Sequence, residues 1–117
     1  MAQSSPVPRL TDIIEAIELI RSEMAGVTLA AFEPDRRKRW LVERGVEIIS
    51  ETSRQLPDEL KARHPEIPWR QVADIGNILR HEYQRVDTRI IWKAVKGDLP
   101  PLKEALLVMK TSLEEPE

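Results

Sequence analysis

His81 is the residue of this chain best suited to moving a proton near neutral pH, because an imidazole changes charge in that range; the other histidine, His64, sits in a proline-flanked connector. The string Asp74-Ile-Gly-Asn-Ile-Leu-Arg-His-Glu-Tyr83 surrounds it. Side chains four apart on a helix share a face, so Asn77, His81 and Arg85 form a polar row, which Arg89 extends if the helix continues. An imidazole beside an amide and guanidinium groups has the parts for phosphodiester cleavage: the His passes a proton, the amide orients, and cations hold phosphate. A helix His standing alone is more often a cap, a core hydrogen-bonder or a surface residue, so the row depends on its context.

Gly76 and Asn77 are both poor mid-helix residues and call for a reason. A glycine admits the close approach of another backbone or of a ligand; the Asn either orients a phosphate or the imidazole, or makes an ordinary mid-helix hydrogen bond. Tyr83, the only tyrosine, lies two residues beyond His81 and therefore on another side of the helix. Trp40, Trp69 and Trp92 read as core anchors. The run Arg36-Arg-Lys-Arg39 reads as a solvated helix start with the capacity to hold phosphates. A chain without cysteine has no disulfides, thiolate zinc sites or cysteine nucleophiles, and two isolated histidines without Asp or Glu at ligand spacing make no metal site. Neither metal nor cofactor is expected. Glycine-rich phosphate loops, a nucleophile elbow and a helix-turn-helix signature are also missing.

Charge points the same way as the row. Lys and Arg stand against Asp and Glu as 2 to 6 in residues 1–35, 6 to 5 in 36–60, 8 to 4 in 61–97 and 2 to 5 in 98–117, so a basic region surrounds His81 in a chain of net charge −2. Such a region suits a polyanion better than a neutral metabolite, although solvated helix faces alone also produce such swings. The 117 residues fit one domain, expected to frame 1–117 with frayed ends at 1–8 and 112–117. The sequence has no apolar run long enough for a membrane span and no secretory build at its start, which predicts a cytoplasmic protein.

The elements that must position these residues are helices. Leu10, Ile13, Ile14, Ile17, Ile20 and Met24 recur at helical spacing, with Thr11 or Asp12 as cap and Gly26 as stop. Thr28 to Phe32 reads as a turn or short helix, and Asp35 caps a second long helix reaching about Gln55. Pro57 restarts the chain for a turn or two, and His64 to Pro68 is a rigid connector. Pro68 opens a third long helix, with Val72, Ile75, Ile78 and Leu79 as its apolar stripe, running to roughly Arg85. Asp87 caps a further helix through Ile90, Ile91, Trp92 and Val95; Gly97 to Pro101 punctuates it, and a last helix carries Leu102, Leu106, Leu107 and Met109. With no alternating strand pattern, the expectation is an all-α antiparallel bundle of four to five helices.

The string Leu56-Pro-Asp-Glu-Leu-Lys-Ala-Arg-His-Pro-Glu-Ile-Pro-Trp-Arg70, with Ile75-Gly-Asn-Ile-Leu-Arg-His-Glu-Tyr83, Val86-Asp, Ile91-Trp and Asp98-Leu-Pro-Pro-Leu102, resembles the HepT family of small HEPN-fold proteins. The resemblance spans nearly the whole chain, since Arg9 to Ile20 is similar to the family's first helix and Arg36 to Leu56 to its second. It implies the toxin half of a HepT–MNT toxin–antitoxin pair: a metal-independent ribonuclease, acting as a homodimer, neutralised by a minimal nucleotidyltransferase antitoxin. The family motif is an Arg, usually a polar residue after it, a His four to six residues beyond the Arg, and a Tyr two beyond the His. Carried over, Asn77 takes the polar position, His81 that of the catalytic His, and Tyr83 that of the Tyr to which the antitoxin attaches AMP. The Arg position falls on Gly76. Arg85, one turn from His81, or an Arg of a dimer partner then stands in for it, with Arg80 and Arg89 as further phosphate contacts. The alternative is a HepT-like binding partner that has lost cleavage together with the Arg; a nucleotide or RNA binder outside any toxin pair is a third reading.

Overall fold

In a computed structural model, residues 5–82 and 88–114 are described, the segment 78–82 by its backbone alone. The helices are α1 (Val7–Met24), α2 (Leu29–Phe32), α3 (Arg36–Arg54), α4 (Asp58–Ala62), α5 (Trp69–Glu82), α6 (Thr88–Lys93) and α7 (Leu99–Glu114), with a π-helical turn, Ala94–Asp98, joining the last two. No strand occurs among the described residues, and the all-α expectation holds. The end of the third long helix near Arg85 and the cap at Asp87 lie outside the described residues.

The core is built on α1, whose residues Leu10, Ile13, Ile17 and Ile20 are completely buried at the expected spacing. Each such side chain contributes about 1.5–3 kcal/mol on leaving water. Contacts at both ends show the antiparallel order. Arg9 Nε donates to Gln55 Oε1 at 2.9 Å and Lys38 Nζ to the Glu23 carbonyl at 3.0 Å, pairing α1 with α3; Lys103 meets Glu18 at 3.3 Å and Lys96 Nζ donates to the Met24 carbonyl at 2.6 Å, pairing α1 with α7. Two lysines thus satisfy carbonyls at the negative end of α1. At Gly45, a Cβ would come within 2.6 Å of Ile20 Cδ1, so the missing side chain lets α1 and α3 approach.

Local signals hold at most boundaries. Asp35 accepts the Lys38 N–H at 2.9 Å and opens α3, while Thr28 accepts the Ala31 N–H at 3.2 Å and opens α2. Gly26, at φ +72°, follows α1 and turns the chain. Three expectations are corrected. First, α1 starts before Thr11 and Asp12: Pro6 occupies the cap position, Pro8 fits the first turn where an N–H is dispensable, and the Ser5 hydroxyl accepts the Val7 N–H at 3.2 Å. Second, Gly97 to Pro101 does not interrupt the helical column. The π turn shifts the ladder by one residue, Leu99 N–H bonds to the Ala94 carbonyl, and Pro100 and Pro101 fall in the first turn of α7. Third, Trp40 is no core anchor but 63% exposed, whereas Trp69 and Trp92 are partly buried against the core. Trp69 Nε1 is shared between the Lys61 and His64 carbonyls, both at 3.1 Å, and Trp92 Nε1 donates to the Val27 carbonyl at 3.3 Å. His64 is accordingly part of the connector that receives Trp69, with its Nδ1 3.6 Å from Glu66.

Candidate functional site on α5

Helix α5 is held by α3 through one close crossing. The Ser50 hydroxyl donates to the Ala73 carbonyl at 2.7 Å and accepts the Gly76 N–H at 3.1 Å; Arg54 Nη2 donates to the same Ala73 carbonyl at 2.6 Å. Gly76 is buried, and a Cβ there would collide with Ser50 Oγ and lie 2.8 Å from Ser50 Cβ. Position 76 therefore faces α3 and admits no larger side chain while the two helices keep this distance. Of the two roles left open for this glycine, the approach is that of a neighbouring helix.

One residue beyond Gly76, Asn77 is half-buried. The α5 backbone continues to Glu82, so position 81 stands one helical turn beyond position 77 on the same face. The side chains of Arg80 and His81 lie outside the described residues, as do Tyr83 and Arg85 altogether. Arg89 is exposed on α6. Among the described residues no three His, Cys, Asp or Glu side chains gather in a way that would hold a metal ion.

Beside the crossing, α5 borders an apolar groove of about 1070 Å³ that Val46 and Ile49 of α3 also line. Val72 and Ile75 of the expected apolar stripe line it from α5, opposite Ile91, Leu99 and Leu102; Ile78 and Leu79 fall outside the described side chains.

On α3 the electrostatics are uneven. Burial raises the Glu43 carboxyl above its ordinary value, and the nearby Arg39 guanidinium partly opposes this. Arg39 Nε is itself buried with no hydrogen-bond partner among the described residues. Arg36 sits over the Trp40 ring, 5.4 Å from its centroid. Sequence reasoning passed over Ser50, although a Ser among Val46, Ile49 and Ser53, and a Gly among the apolar residues of α5, together signal two helices crossing on small side chains.

Comparison with known proteins places the chain in a family. The family model described as Ribonuclease HepT-like matches residues 13–109. The chain is 45% identical over 94 residues to the "Probable ribonuclease HepT" of Thermococcus cleftensis, covering 80% of this chain and 86% of that protein. It is 35% identical over 106 residues to a Methanocaldococcus jannaschii protein named "Gamma-glutamylcyclotransferase and putative RNase", covering 91% of this chain but 48% of the relative. A "Putative RNase" of Caldanaerobacter subterraneus is 31% identical over 100 residues, 86% of this chain and 89% of that protein. No solved structure matches the chain. No helix among the described residues is long and apolar enough to cross a membrane. With a match that takes in α1 from Ile13 on, the α3–α5 crossing and the whole of α5, this chain belongs to the Ribonuclease HepT-like family.

Proposed function

We propose that this chain is the toxin of a HepT–MNT toxin–antitoxin pair, a cytoplasmic, metal-independent endoribonuclease that acts as a homodimer. The observation that carries the reading is the family match across residues 13–109, which includes Asn77, His81 and Tyr83 in the motif's order. In the reaction, a ribose 2′-hydroxyl attacks the adjacent phosphorus and the 5′-oxygen of the next nucleotide leaves. His81 takes the proton of the attacking hydroxyl or supplies that of the leaving oxygen. Asn77 orients, and Arg80, Arg85 and Arg89 neutralise phosphate charge as it builds in the transition state. With Gly76 at the motif's Arg position, Arg85 or an Arg from the second protomer takes over that task. RNA incubated with the purified protein in excess EDTA is expected to be cleaved. Failure of the wild-type protein to cleave there, under conditions where it is folded, rejects the enzyme.

The nucleotidyltransferase antitoxin silences this site at Tyr83. The phenolic oxygen attacks the α-phosphorus of ATP, pyrophosphate leaves, and an AMP group adds bulk and negative charge next to the row. Labelled AMP is expected to enter the wild-type chain and not Tyr83→Phe; equal labelling of both removes Tyr83 as acceptor. A second reading is favoured by the burial of Gly76 against Ser50, because that packing has no space for the motif's Arg. It is a HepT-like partner that keeps the fold and the antitoxin contact without cleavage, and an inactive wild type in the EDTA assay is its expected result.

A further inference from the structure

The exposed tryptophan lies on a continuous stripe of α3. Arg54, Ser50 and Glu47 are among the α3 residues beside α5: the first two by hydrogen bonds to its backbone, the third by a carbonyl 4.0 Å from where a Cβ of residue 76 would stand. Continuing toward the start of α3 at helical steps of three and four, the same face carries Glu43, Trp40 and Arg36. The crossing is antiparallel, since Arg54 and Ser50 both meet Ala73 while the next turn of α5, at Gly76, reaches Glu47. Six residues from Gly76 to Glu82 add about 9 Å of helix. They carry the end of α5 that holds position 81 toward Glu43 and Trp40.

Three features of this end of α3 are unfavourable for the fold taken alone. Tryptophan is on average among the more buried residues, yet Trp40 is 63% exposed. The first turns of α3 carry Arg36, Arg37, Lys38 and Arg39; Asp35 caps the helix and Lys38 is paired with Glu23, which leaves three arginines near the positive end of the helix dipole with no acidic residue in the first turn. Arg39 also keeps a buried Nε without a partner among the described residues. An anion bound over this surface offsets the second, and a planar ligand covers the first. Arg36 lies over the indole at 5.4 Å, and Arg37 and Arg44 are exposed beside it within two turns.

We infer that the Arg36–Arg44 segment of α3 is a single-stranded RNA platform, with Trp40 stacking a base and Arg36, Arg37 and Arg44 holding the flanking phosphates, so that the strand runs on toward position 81. The inference rests on the ribonuclease reading of α5. An exposed aromatic among arginines favours a nucleobase with its phosphates over an acidic peptide, which has no use for the indole face.

The test uses the full-length chain in a His81→Ala background, which separates binding from cleavage, with fluorescein-labelled single-stranded oligoadenylate and oligouridylate as probes. Trp40→Ala is expected to weaken binding of both by about tenfold, the loss of one stacked base, and Trp40→Phe to restore most of it. Arg37→Gln is expected to weaken binding and reduce its salt dependence. Because Trp40 is exposed, the variants should melt as the parent does. Unchanged RNA affinity in Trp40→Ala overturns the platform, as does a His81→Ala parent that binds neither probe. Loss of nucleotidyltransferase binding with RNA affinity intact also overturns it, and assigns the face to the antitoxin. Absence of cleavage in EDTA strikes the catalytic reading alone, because the titration measures binding without turnover.

Discussion

Glu43 gives the chain a pH dependence that starts from one carboxylate. Its burial on α3 favours the protonated form in the folded state, so its folded pKa stands above the ordinary 4.5. A raised carboxyl pKa means that its contribution is fully present below the unfolded value and is lost as pH rises through the folded one. Glu43→Gln is therefore expected to melt slightly higher than wild type at pH 7, with the gap closing as the pH falls toward 4. The effect is small because the side chain is half-buried and solvent screens it. A thermal melt series from pH 4 to 8 checks this, and a lower melting point for the variant at pH 7 contradicts it. At the same scale, the spacing of Asn77 and position 81 was readable from the sequence, because four residues on a helix fix a shared face. The exposure of Trp40 was not, since whether an indole is covered depends on which elements arrive beside it.

Packing between α3 and α5 turns the missing motif Arg into a question about two helices. Restoring it by Gly76→Arg is expected to destabilise the fold by about 1–3 kcal/mol, the usual cost of overpacking, without raising activity above that of the wild type. Chemical denaturation measures this cost. A stable, more active Gly76→Arg chain would mean that position 76 opens onto a cleft and does not face Ser50. Element boundaries set by local chemistry were legible: the Asp35 and Thr28 caps and the stop at Gly26 each depend on a few neighbouring residues. The continuity from α6 to α7 was not. Two adjacent prolines ordinarily end a helix, and here a π turn puts both where their missing N–H groups cost nothing. The Ser50–Gly76 contact joins residues 26 apart in sequence, so neither helix announces it alone.

At the scale of the molecule, α3 is the common partner: α1 packs on one side of it at Gly45 and α5 on another at Ser50, while α7 closes over α1. The all-α class followed from one periodicity repeated along the chain. The basic run at the start of α3 and the basic region around α5 were both visible in the sequence, whereas their approach to one another emerged only from the antiparallel register. The proposed ribonuclease transfers its proton at His81, and one comparison tests that most directly. Single-turnover cleavage of a labelled RNA is measured for wild type and His81→Ala at equal, saturating protein in EDTA, with thermal melts to verify that both are folded. The expected result is a fall in rate of at least about 10²-fold, the scale of a lost general acid or base, at an unchanged melting temperature. Equal rates for the two proteins would contradict it.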